Sequence, residues 1–228
     1  MSKTVFAVTV FLMTTVVLVA APTAQAGGLM MYEVGTADIG LASAGYGARA
    51  QDASTVFTNP AGMTRLQGNQ ALIGGQVLWS NTKFSLGSGT SAALGGGDGG
   101  RAVGSDGWFP GGGAFFSYSL SPDVKLGVAM TGNFGSVLKY DDNWAGRYYV
   151  QEATMIGASI LPSIAYKATD KLSLGASVNA MYGIYKNKVA INIPDALRPG
   201  VVVPIQRATG DAQLKLEDEN WGWGVNLG

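Results

Sequence analysis

The chain has 228 residues, 15 acidic and 15 basic groups, no Cys, no His and only 13% charged residues. A balanced charge without a Lys/Arg surplus argues against a nucleic-acid partner, because phosphate binding needs clustered basic side chains. Without thiolate or imidazole, zinc, haem, iron–sulfur and Cys- or His-based catalysis lose their usual groups. No Gly-x-Ser-x-Gly elbow offers a serine nucleophile, so we expect neither an enzyme, nor a cofactor, nor a metal site. The 34 glycines exceed ordinary usage of roughly 7% but follow no Gly-X-Y period, which excludes collagen.

The chain opens with Lys3, an apolar run from Val5 to Ala21 and the small-x-small triplet Ala24-Gln25-Ala26. This pattern reads as a signal peptide over residues 1–26, cleaved before Gly27, and its competitor is a membrane anchor of similar length. Beyond Gly27 no segment is long and apolar enough for a spanning helix. An exported chain of this kind that enters a membrane must do so as a closed sheet, since hydrocarbon leaves unpaired backbone groups unsatisfied.

Residues 27–69 are rich in small residues and show little periodicity, which suggests a plug inside a barrel or an unstructured leader. From residue 70 onward the pattern has a period of two. It predicts strands over Ala71–Trp79, Gly113–Leu120, Val124–Phe134, Thr154–Tyr166 and Lys171–Tyr185, with another run beginning at Trp221. In the clearest of these, Leu172, Leu174, Ala176, Val178, Ala180, Tyr182 and Ile184 share one face, opposite Ser173, Gly175, Ser177 and Asn179. Tight turns at Ser121-Pro122-Asp123 and Ala168-Thr169-Asp170 alternate with long connections over 87–110, 139–151 and 191–211. Short turns on one side and long loops on the other, with aromatic residues near strand ends, suit an outer-membrane barrel better than a soluble sandwich. Pro162 sits mid-strand, where it cannot donate a ladder hydrogen bond. Gly132 and Gly135 fall within a strand, where glycine often marks a bulge or accommodates tight packing.

Several motifs carry a family resemblance. Gly40 to Gly45 and Asp52 to Met63, with Asn59-Pro60-Ala61 inside it, come first. Thr131-Gly132-Asn133-Phe134-Gly135, Trp144 to Tyr148, Leu161 to Lys167, Lys171 to Ala176 and Trp221 to Asn226 follow in order. Together they resemble the FadL/TodX family of outer-membrane channels over nearly the whole mature chain. The resemblance implies an all-β fold, a transmembrane antiparallel β-barrel of fourteen strands with an N-terminal luminal hatch at 27–69. This chain would supply the hatch and about six strands over 70–228, as a fragment of a longer product.

It further implies passive uptake of hydrophobic small molecules, either long-chain fatty acids or aromatic hydrocarbons, by a monomer in outer-membrane lipid of a Gram-negative cell. Release would be sideways through a kink in the third strand at Gly132, Asn133, Phe134 and Gly135. Asn59, Pro60 and Ala61 would form the hatch motif, either as a working part or as a turn that sets backbone direction. Gly27 and Leu29 at the mature N-terminus, with Arg147, would contact ligand. A carboxylate would want a cation, for which Arg49, Arg65, Arg101, Lys139 and Arg147 are candidates. A structural or adhesive outer-membrane protein without transport is the competing reading.

Overall fold

The computed structural model describes residues 30–31, 34–85, 107–191 and 211–228. The signal-peptide reading, Gly27, Leu29 and Arg101 lie outside these residues.

Six antiparallel strands form one sheet in sequence order: β1 (Gln70–Ser80), β2 (Gly107–Ser119), β3 (Val124–Lys139), β4 (Glu152–Thr169), β5 (Leu172–Ile191) and β6 (Ala212–Leu227). The two tight turns return β3 beside β2 and β5 beside β4, and the longer connections keep the other strands in the same sequential order. All five expected strands and the sixth run are present, but most extend further than the alternation suggests. β2 starts at Gly107, inside the stretch expected as loop, and β6 starts at Ala212 rather than near Trp221. The extensions carry Lys186, Lys188, Lys215, Glu217 and Glu219. These charges interrupt the apolar periodicity, while backbone pairing of β5 with β6 continues without a break from Ile191↔Ala212 to Ala176↔Leu227.

The two faces of the sheet invert the soluble arrangement. Ile73, Phe116, Met130, Ile160, Ile164, Leu174 and Val178 are exposed on one face. Ser117, Thr131, Ser159, Ser163 and Ser177 are buried on the other. Apolar outside and polar inside is the pattern of a wall that meets lipid. No helix among the described residues is long and apolar enough to cross a membrane.

Pro162 keeps its pairing with Val128 of β3, while Leu161 and Pro162 drop out of the β4–β5 ladder between Ile160↔Ala180 and Ser163↔Ser177. The register does not slip there, so the proline removes a ladder bond without creating a bulge.

The N-terminal segment lies on the polar face. It contains a 3-10 turn (Ala37–Leu41), a short helix α1 (Thr55–Thr58) and a 3-10 stretch (Pro60–Arg65). The buried apolar core sits between this segment and the wall: Val34, Val56, Phe57, Met63 and Leu66 meet Phe115, Ala129, Leu161 and Ala165. Glycine makes this approach possible. A Cβ on Gly127 would stand 2.6 Å from Met63 Sδ and 2.7 Å from Val56 Cγ2.

Candidate functional site

The ladder between β1 and β2 is continuous from Gln70↔Ser117 to Ser80↔Gly107, and that between β3 and β4 continues to Lys139↔Glu152. Between β2 and β3, however, pairing stops at Gly112↔Gly132. Beyond that point the two strands separate, leaving residues 107–111 of β2 and 133–139 of β3 without mutual backbone bonds. The separation begins where β3 bulges, with a register shift between Gly132 and Phe134. The extra residue, Asn133, is buried, and its Oδ1 accepts from Ser159 Oγ at 3.4 Å. Phe134 pairs with Gly157, and a Cβ there would stand 3.2 Å from Phe134 Cβ and Cδ2. A bulge that turns two successive side chains inward needs such a small cross-strand partner.

Gly132, Phe134 and Gly135 all line a cavity of about 340 Å³ at this separation. Strand alternation places Gln76, Leu78, Phe109 and Phe134 on the inner face of the wall, and Pro110, Gly132, Ile156 and Ala158 on the outer face. The lining of the cavity therefore draws on residues of both faces where β2 and β3 part. Met31 also lines it, and the N-terminal segment enters the separation itself. Met30 forms an isolated antiparallel bridge with Phe134, and Met31 N–H donates to Asn133 O at 2.9 Å. Gly35 N–H donates to Gln76 Oε1 at 3.2 Å. Gly35 crosses β1 at Gly74 so closely that a Cβ on Gly35, whose φ is +77°, would lie 2.5 Å from Gly74 C. A second cavity of about 310 Å³ shares Phe134, Ile156 and Gly157 and adds Met155, Met181, Tyr185 and Asp218.

The Asn59-Pro60-Ala61 motif is removed from both cavities and seats the N-terminal segment on β5. Asn59 is the N-cap of the 3-10 stretch, its Oδ1 accepting from Ala61 N–H at 3.1 Å and its Nδ2 donating to Gly47 O at 2.8 Å. Pro60 occupies the first helical position, where its missing N–H costs nothing. Ala61 rests against Gly175, and Thr64 Oγ1 meets Ser173 Oγ at 2.7 Å.

The candidate cations are engaged elsewhere. Arg147 Nε donates to Asp211 Oδ2 at 2.7 Å, its guanidinium lies 4.5 Å from the Tyr148 ring centroid, and Tyr148 O–H donates to Asp211 Oδ1 at 2.9 Å. Burial and the bond to Asp211 hold the Tyr148 phenol above its ordinary pKa. This ion pair ties the β3–β4 loop to the start of β6. Arg49 pairs with Asp38 within the N-terminal segment, Arg65 donates to Ala48 O at 3.0 Å, and Lys139 is exposed at the end of β3.

Sequence reasoning missed two side chains. Lys125, 5% exposed on the inner face, donates to Leu66 O at 2.9 Å, Gly68 O at 3.3 Å and Ser119 Oγ, fastening the end of the N-terminal segment to β3. Its signal was a charge at an inward position of an alternating strand. Gln76 likewise stands among apolar residues of β1, and only the fold shows that it lines the cavity where β2 and β3 part.

Comparison with known proteins decides the family. The profile described as "Outer membrane protein transport protein (OMPP1/FadL/TodX)" matches residues 17–228. The chain belongs to this family and is an outer-membrane protein. It is 32% identical over 182 residues to the Outer membrane protein P1 of Haemophilus influenzae, covering 75% of this chain and 39% of that protein. To the Long-chain fatty acid transport protein of Escherichia coli O6:H1 it is 24% identical over 220 residues, covering 90% of this chain and 47% of that one. The crystal structure of a Pseudomonas aeruginosa FadL homologue superposes with a TM-score of 0.60 at 22% identity, covering 88% and 49%. The six strands therefore have the fold of part of that barrel, and the chain spans less than half the length of these relatives.

Proposed function

We propose that this family member is part of a passive outer-membrane channel for hydrophobic compounds, whether long-chain fatty acids or aromatic hydrocarbons, with sideways release through the opening between β2 and β3. The observation that carries the reading is the cavity whose lining includes both inward and outward residues where the two strands part. An apolar solute gains nothing in a watery lumen and transfers favourably into bilayer hydrocarbon, so a path through the wall runs downhill. Residues 34–69, packed on the polar face, act as the hatch, and the segment around Met30 and Met31 lies at the inner mouth of the path.

The height of the opening supports release into the outer half of the bilayer. Tyr118 and Trp108 face outward at the two ends of β2. Ten residues of tilted strand between them span about 25 Å, the height of an apolar band. Pairing with β3 ends at Gly112, nearer the Trp108 end, which adjoins the long loops.

Gly135 lies at the opening, where a Cβ would meet only Met31 Cε at 3.7 Å, so a long side chain fits without disturbing the ladder. In the full-length protein, Gly135→Arg should abolish uptake of labelled oleate and toluene while the barrel still folds. Undiminished uptake of both would end the sideways-release reading.

A further inference from the structure

Taking the proposed wall passage as given, we infer that its described part is built for uncharged molecules, with Gln76 as the polar residue that receives a neutral oxygen of the solute. Among the described residues that line the passage, Gln76 carries the one polar side chain; the others are apolar or glycine. Its orientation is fixed by Gly35, whose N–H donates to Oε1. The carboxamide nitrogen is thereby turned toward Gly111, where a Cβ would stand 3.2 Å from Nε2. That leaves an N–H donor facing the passage, suited to an ester, alcohol, ketone or protonated carboxyl oxygen.

No cation among the described residues lines either cavity. The charged side chain of the adjoining cavity is the carboxylate of Asp218, which repels an anion. Arg147 is held by Asp211, Arg49 by Asp38 and Lys125 by the carbonyls of Leu66 and Gly68. A carboxylate stripped of water here would meet one neutral donor and a nearby negative charge. One amide hydrogen bond returns less than the desolvation of an ion costs. A fatty acid would therefore cross as the neutral acid, shedding its charge by taking a proton from water before it enters.

The test reconstitutes the full-length protein into vesicles and compares methyl laurate, 1-dodecanol and laurate at alkaline pH, each corrected for protein-free vesicles. The expected result is that ester and alcohol cross at least about tenfold faster than the anion, roughly the factor that one lost ionic contact represents. Gln76→Arg should reverse the preference, while Gln76→Leu should slow the ester and alcohol relative to dodecane. Asp218→Asn, which leaves the Gly35 contact intact, should raise laurate transfer alone. Laurate crossing as fast as its ester in the unaltered protein would overturn this inference while leaving the channel reading in place. Failure of all four solutes to cross would overturn the channel reading itself.

Discussion

Replacing Gly175 by Ala offers a sharp test of how the hatch is seated. Gly175 lies on the inner face of β5, paired with Ala165, and its N–H donates to Gly228 O at 3.1 Å. A Cβ there would stand 2.5 Å from Pro60 C and 2.7 Å from Ala61 Cα, both backbone atoms of the hatch motif. Ala61 N would be closer still, so ordinary contact at about 3.4 Å requires this backbone to retreat by more than about 1 Å, far enough to forfeit much of the packing around it. Overpacking of this kind costs roughly 1–3 kcal/mol. Most of the cost falls on the hatch, because the wall ladder gains an alanine in place of a flexible glycine. Hydrogen exchange on the full-length protein should show faster exchange across residues 55–66 with strand protection unchanged. Gly183→Ala is the control: it lies on the same face of the same strand, and the nearest atom to its Cβ would be Asn220 O at 3.9 Å. Equal exchange in both variants would refute the argument that Gly175 seats the hatch.

Other variants separate cap, latch and loop. Asn59→Ala removes the cap of the 3-10 stretch and should destabilise the hatch by about 1 kcal/mol, read as a local increase in exchange at residues 60–63. Lys125→Met leaves the Leu66 carbonyl without its donor and Gly68 O with Ser119 Oγ alone, so residues 66–69 should become susceptible to added protease while the heat-dependent gel mobility of the barrel persists. Arg147→Ala removes the ion pair from half-buried Asp211, which keeps Tyr148 O–H, and should cost the loop connection roughly 1.5–3 kcal/mol, seen as proteolytic cutting within residues 140–150. The raised Tyr148 pKa means that the folded loop favours the protonated phenol. Its contribution is present below the ordinary value of about 10 and is lost as pH climbs through the higher folded value. Alkaline titration of loop proteolysis should therefore show a transition that Tyr148→Phe removes.

The strands were legible because a lipid-facing wall writes its environment into every second residue. Leu172, Leu174 and Val178 could be assigned to one face from spacing alone, and the structure exposes all three. Legibility failed where alternation carried no contrast. β6 begins with only two apolar residues, Leu214 and Leu216, alternating with Gln213, Lys215 and Glu217, and Asp218, Glu219 and Asn220 then break the period, so backbone pairing carries the strand across them. The candidate site was less readable. The glycines at 132 and 135 marked an irregularity, yet its partner on the other side of the opening, Pro110, belonged to a stretch expected to be loop. Likewise Arg147 looked available as a cation because its ion partner, Asp211, lies 64 positions away and beyond two intervening strands.

The opening between β2 and β3 raises a physical problem that the N-terminal segment answers. Strands that part within a membrane wall expose backbone donors and acceptors, and hydrocarbon offers them no partner. β3 meets this where the parting begins: its Asn133 carbonyl accepts from Met31 N–H, and Phe134 bridges Met30 on the edge that β2 has left. The segment thus substitutes for the missing strand over a residue or two. Glycines at 35 and 74 let it reach the wall, since a Cβ at either position would strike the other's backbone. A closed ladder would need no such strap. Because the strap is held by few bonds while β3 remains fully paired to β4, its removal exposes one short edge and leaves the wall standing. The strap and the wall therefore rest on different hydrogen bonds, the strap's at Asn133 and Phe134 and the wall's in the β3–β4 ladder.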